Sequence, residues 1–89
     1  MSARPGDIRL VTRDVKFRPS TINTQIGTVS VHVTNEDSTR HTFTIDELGV
    51  DLNLPPNSTQ RVSFEAEPGT YGFICSPHES SMQGTLIVK

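Results

Sequence analysis

The chain holds one cysteine among its 89 residues. One thiol cannot form an internal disulfide, so stability has to come from packing, helped by any bound metal. Long hydrophobic runs are missing too. No apolar stretch approaches the roughly 18 residues needed to span a bilayer, and the opening Met1 to Gly6 lacks a signal-peptide core. Charge of one sign is also scarce. The formal charge is -2 with 20% charged residues, which is neither a nucleic-acid footprint nor an acidic tail. At this length the chain is expected to form one domain over residues 1–89, burying about 60 to 65% of its unfolded surface. That leaves no room for a second, catalytic domain. Neither a Ser/His/Asp arrangement nor paired carboxylates occur in a recognisable context, and the expectation is a protein that is not an enzyme.

The charges present are unevenly placed. Residues 1–20 carry Arg4, Arg9, Arg13, Lys16 and Arg18 against Asp7 and Asp14, a balance of +3, whereas the remainder has eight acids against Arg40, Arg61 and Lys89, a balance of -5. Solvated faces on two different strands explain such a split, although it could also orient a docking partner.

Apolar residues recur at every second position in short runs broken by turn residues, which is the strand signature and excludes a helical bundle. Ile8 and Leu10 open the series, Val15 and Phe17 precede Pro19, and Ile22 precedes Gly27. Val29, Val31 and Val33 alternate most cleanly. Phe43 and Ile45 follow His41, and Val50, Leu52 and Leu54 run into the break at Pro55 to Ser58. Val62, Phe64 and Ala66 come next, then Tyr71, Phe73 and Cys75 on one parity, and finally Leu86 and Val88. Only Asp46 to Gly49 could hold a helical turn. Seven or eight strands spaced about 8 to 12 residues apart predict an antiparallel, all-β Greek-key sandwich.

In such a sandwich the loops gather at the two ends. Cys75 ends one strand, His41 begins another, and His78 and Met82 lie between Cys75 and the last strand, so all four can meet at one end. Each has a plainer reading. A lone strand cysteine is usually a small buried hydrophobe, His41 could be a boundary histidine and Met82 a core plug. The joint pattern argues otherwise. Cysteine, histidine three residues on and methionine four further, in a loop of Ser, Pro and Glu, is a set that apolar packing has little reason to select. Thiolate, imidazole and thioether together suit a mononuclear copper site, trigonal in Cys and two His with a weak axial Met, better than tetrahedral zinc. His32 alternates with Val31 and Val33 and is expected to point outward. Thr42 offers a backbone N–H to the Cys75 sulfur, whereas Pro77 has none to offer. Glu67 to Tyr71 reads as a tyrosine corner, with the hydroxyl tied to nearby backbone.

At these residues the chain resembles the cupredoxins, the plastocyanin and amicyanin family of small blue copper proteins. The stretch from Asn35 to Phe43 resembles the family's first-histidine segment, Leu54 to Ser58 its mid-chain turn, and Glu67 to His78 the strand feeding the copper loop. The resemblance implies His41, Cys75 and His78 as equatorial ligands and Met82 as the axial one, holding one type 1 copper per chain. It also implies a one-electron carrier, monomeric, outside the cytoplasm, whose redox donor and acceptor dock transiently near His78. Two features depart from the pattern. Three residues separate His78 from Met82, one fewer than in plastocyanin and one more than in amicyanin, and Arg40 stands where plastocyanin has proline.

Two other classes fit less well. A copper domain excised from a larger redox enzyme would look the same, but a multicopper oxidase needs His-x-His pairs and a binuclear electron-entry centre needs a second cysteine. A copper chaperone or store should carry several Met or Cys ligands. Only Met1 and Met82 are present.

Overall fold

The computed structural model describes residues 6–78 and 82–89, with His78 described in its backbone alone. Nine strands follow one another among the described residues: β1 (Ile8–Thr12), β2 (Phe17–Arg18), β3 (Thr21–Thr24), β4 (Gly27–Asn35), β5 (His41–Ile45), β6 (Val50–Leu54), β7 (Ser58–Ala66), β8 (Gly69–Ile74) and β9 (Gln83–Val88). They form a two-sheet β-sandwich, with order β2-β1-β4-β7 in one sheet and β3-β9-β8-β5-β6 in the other. The expected short helical turn is a 3-10 helix at Asp46–Leu48, and a second one covers Ser76–His78. No helix among the described residues is long and apolar enough to cross a membrane.

Two details differ from the sequence reading. The sheets are mixed, because β1 runs parallel to β4 and β3 parallel to β9. A two-residue period tells which face a side chain takes, but not which strand lies beside it. Val15 is also not a strand residue. Arg13 and Lys16 exchange both backbone hydrogen bonds, at 3.0 and 3.1 Å, around a two-residue turn in which Asp14 and Val15 have φ of 54° and 57°. This is the left-handed backbone of a tight hairpin turn, which suits strand twist but is unfavourable for a β-branched residue.

Burial follows the alternation where one face of a strand meets solvent. In β4, Val29, Val31 and Val33 are buried, and His32 is half-buried on the opposite face. There His32 stands level with Arg9 of β1 and Arg61 of β7. In β5 the alternation disappears and all five residues are buried. Phe17, Phe43 and Phe73 form the aromatic centre of the core, with Phe17 edge-on to Phe73 at a centroid distance of 4.9 Å. Such contacts add to the burial of large apolar area. Gly84 makes room for this packing: a Cβ there would lie 2.2 Å from the Phe73 ring and 2.8 Å from the Ser20 carbonyl.

Candidate metal centre

The candidate site forms where β5 begins and β8 gives way to β9. The β8–β9 ladder pairs Ile74 with Gln83, and the Cys75 N–H donates to the Met82 carbonyl at 3.1 Å. Cys75 and Met82 therefore form one more rung beyond the β8–β9 hairpin ladder. His41 is the first residue of β5, and β5 pairs with β8 through Thr44 and Ile74. That pairing brings His41 to the same end. Its Nδ1 lies 3.5 Å from the Cys75 Sγ. His41, Cys75 and Met82 are all fully buried.

Hydrogen bonds hold this group from several sides. The Thr42 N–H donates to the Cys75 Sγ at 3.3 Å, the contact expected from its place after His41. The Ser76 N–H donates to Thr42 Oγ1 at 2.9 Å. Thr44 Oγ1 donates to the Asp51 carboxylate at 2.9 Å and stands 3.0 Å from Thr42 Oγ1. Because the Thr44 proton is used on Asp51, Thr42 is the donor between the two hydroxyls. One directed chain thus runs from the loop backbone at Ser76 to Asp51, and each bond in such a chain polarises the next. Tyr71 donates its hydroxyl proton to the Glu67 carbonyl at 2.8 Å, the tie expected of a tyrosine corner.

Two residues that the sequence reading did not single out shape the site. Asn35 is buried, and its amide donates to the carbonyls of Thr39, Leu54 and Pro55 at 2.9 to 3.1 Å. Its carbonyl oxygen accepts from Thr12 Oγ1 at 2.8 Å and from the Asp37 N–H at 3.0 Å. Asn35 thereby pins both the segment leading to His41 and the turn after β6. Asp37 takes His41 Nε2 on its carboxylate at 2.7 Å. Burial works to raise the Asp37 pKa, but hydrogen bonds from His41, Val15 and Asp14 and the charge of His41 outweigh it, so the carboxyl lies below its usual range. The available signal was local. An Asn followed two residues later by Asp, ahead of a candidate ligand, is the pattern of a side chain that caps its own turn.

The structure therefore brings together three of the four candidate ligands. The side chain of His78 and the flanking Glu79 lie outside the described residues. Among the described residues no group of three or more His, Cys, Asp or Glu side chains is placed to hold a metal, and the third nearby donor is the thioether of Met82. Arg40 is exposed beside the site, and its Nη1 donates to Asn53 Oδ1 at 2.8 Å.

Comparison with known proteins adds two findings. The family described as cupredoxin-like domain matches residues 2–88. Among solved structures, the reduced form of a tryptophan-to-tyrosine mutant of amicyanin superposes with a TM-score of 0.79 at 22% identity, covering 98% of this chain and 86% of that one. The Cu(I) form of a methionine-to-alanine mutant of amicyanin gives 0.77 at 20%, with the same coverage. At these identities the likeness to amicyanin establishes the fold. With the family match spanning nearly every residue, this chain belongs to the cupredoxin-like domains.

Proposed function

We propose that this protein is a one-electron carrier whose residues 1–89 form a single domain holding one copper ion through His41, Cys75, His78 and axial Met82. The observation that carries this reading is the approach of Cys75 Sγ to His41 Nδ1 at 3.5 Å, with both residues and Met82 fully buried. Metal bonds of about 2.3 Å to sulfur and 2.0 Å to nitrogen, the lengths zinc makes, would span that separation. Thiolate, imidazole and thioether form the soft and borderline donor set that favours copper. Bound copper would supply a reversible Cu(I)/Cu(II) couple.

The remaining work falls to the chain. Cys75 supplies the thiolate, and the Thr42 N–H withdraws electron density from its sulfur. The Ser76–Thr42–Thr44–Asp51 chain and the Cys75–Met82 rung keep the donors in place whatever the redox state, so little rearrangement accompanies electron transfer. Full burial of His41, Cys75 and Met82 excludes water from that side. His78 is the electron gateway in this reading, with donor and acceptor proteins docking over the 76–81 loop in turn, outside the cytoplasm. A surface near or below about 1,200 Å² suits such brief encounters.

Adding copper(II) to the metal-free protein and recording its visible spectrum tests the proposal. An intense thiolate-to-copper charge-transfer band that disappears in Cys75→Ser, together with a reversible one-electron wave in voltammetry, is the expected result. An intense band surviving in Cys75→Ser would overturn the site.

A further inference from the structure

We propose that the free edge of β7 is a self-association surface, on which β7 of a second copy pairs antiparallel about Ser63 and joins the two four-stranded sheets into one. The inference is independent of the copper reading, and it departs from the monomer that the family resemblance implies.

β7 closes its sheet: β4 pairs with it on one side, and among the described residues no strand pairs with it on the other. A sheet edge presents unpaired N–H and C=O groups, which proteins protect with a short strand, a proline, a bulge or a projecting charge. The other three edges have such protection. β2 is two residues long, β3 is four and comes just after Pro19, and β6 is five, carries the exposed Asp51 and runs into Pro55. β7 runs for nine residues without proline, and its ladder with β4 is unbroken from Gly27 with Ala66 to Asn35 with Ser58, so it holds no bulge. Its two charged side chains lean away from the edge. Arg61 reaches over β4 to Asp7, just before β1, at 2.9 and 3.0 Å, and Glu65 accepts the hydroxyl proton of Thr28 on β4.

The side chains decide the occupant and the register. Val62 and Phe64 lie opposite Val31 and Val29 on the core side of the sheet, yet both are only half-buried. Residues directly opposite one another in a ladder share a face, so a two-fold pairing of β7 with itself has to be centred on a residue and not between two. A centre on Arg61 or Glu65 sets like charges face to face, which is unfavourable. A centre on Ser63 does the reverse. Arg61 then faces Glu65 of the second copy, Glu65 faces its Arg61, and Val62 and Phe64 cover each other twice. Such a surface is complementary to itself, as an isologous interface requires, and backbone hydrogen bonds join the strands as in strand addition. The Ser58 end of β7 lies beside Asn35, toward the candidate site. Antiparallel copies therefore turn their metal ends in opposite directions and leave both free. Pairing along one edge makes a small interface, below about 1,200 Å², so the dimer is reversible.

Sedimentation equilibrium of the full chain, with and without copper, from micromolar to millimolar concentration tests this. The mass should rise from one chain to two, and the β7 amides should exchange more slowly as it does. Glu65→Lys sets a lysine opposite Arg61 twice in each dimer and should weaken association by about 10-fold. Under oxidised glutathione Ser63→Cys should cross-link into a covalent dimer, because the two thiols meet at the axis within reach of a disulfide. Thr59→Cys, on the same outer face but far from its own copy in this register, should not, and wild type with its buried Cys75 is the control. A wild type that stays monomeric at millimolar concentration overturns the proposal. So does a dimer whose affinity is unchanged in Glu65→Lys, a Ser63→Cys variant that fails to cross-link, or equal cross-linking at positions 63 and 59, since each places the contact elsewhere.

Discussion

The backbone N–H of Thr42 donates to the sulfur of Cys75 across 3.3 Å, joining the residue after His41 to the thiol that directly follows β8. Pro77, two positions beyond Cys75, has no N–H to offer the same sulfur. Pro77→Ala is expected to raise the reduction potential of the copper-loaded protein by tens of millivolts, up to roughly 100, because a second hydrogen bond weakens thiolate donation to the oxidised metal more than to the reduced one. Voltammetry over a pH series checks it. A potential that falls, or stays fixed at high pH where the histidines carry no added proton, shows that the missing N–H is not the tuning element.

Thr44→Val keeps the shape of the side chain while removing the hydroxyl that links Thr42 to Asp51. The buried Thr42 hydroxyl then loses its acceptor, at an expected cost of about 1 to 3 kcal/mol. Urea unfolding of the metal-free variant measures this, and the slope should stay that of wild type. Stability unchanged within a few tenths of a kcal/mol would mean that the chain of hydroxyls contributes nothing.

Gly84→Ala places a methyl where the Phe73 ring and the Ser20 carbonyl already sit. Neither neighbour can yield freely, since Phe73 is packed between Phe17 and Phe43 and the Ser20 carbonyl accepts the Thr85 N–H at 2.8 Å. Overpacking of this kind costs about 1 to 3 kcal/mol. Thermal unfolding is the readout, and a melting temperature equal to that of wild type would contradict the packing described.

Copper removal should leave the protein folded. The core runs from Leu10 and Val31 through Phe43 and Phe73 to Leu86 and Val88, and most of it consists of residues other than the candidate ligands. Copper should then raise the melting temperature by binding the native state preferentially, adding about 2.7 kcal/mol at a free concentration 100 times the dissociation constant. Dispersed amide resonances in the metal-free protein are the expected observation; a random-coil spectrum would place this chain with metal-nucleated folds such as zinc fingers.

Arg40→Glu reverses an exposed charge beside His41 whose one described partner is the neutral Asn53. With a charged redox partner, the change should alter the association rate and its salt dependence more than the reduction potential, as rim charges do. Stopped-flow electron exchange at several ionic strengths measures both. Equal rates for the variant and wild type at every salt concentration would remove this end of the sandwich as the docking surface.

The strand faces, the tyrosine corner, the Thr42 donor and the grouping of Cys75, His41 and Met82 were legible in the sequence, because each follows from a local rule: a two-residue period, a fixed offset, or side-chain types that apolar packing does not select. The parallel pairing of β1 with β4 and β3 with β9 was not, since the period carries no information about neighbours. Val15 looked like a strand residue because its parity matches Phe17, and only the folded hairpin puts it in a left-handed turn. Asn35 and Asp37 left only a local turn pattern in the sequence, and their long-range roles were hidden for a related reason. Their partners lie as far as 23 residues away, and a side chain that meets distant groups leaves no period in the sequence. Local chemistry thus chose the candidate donors, and tertiary packing decided which groups orient them.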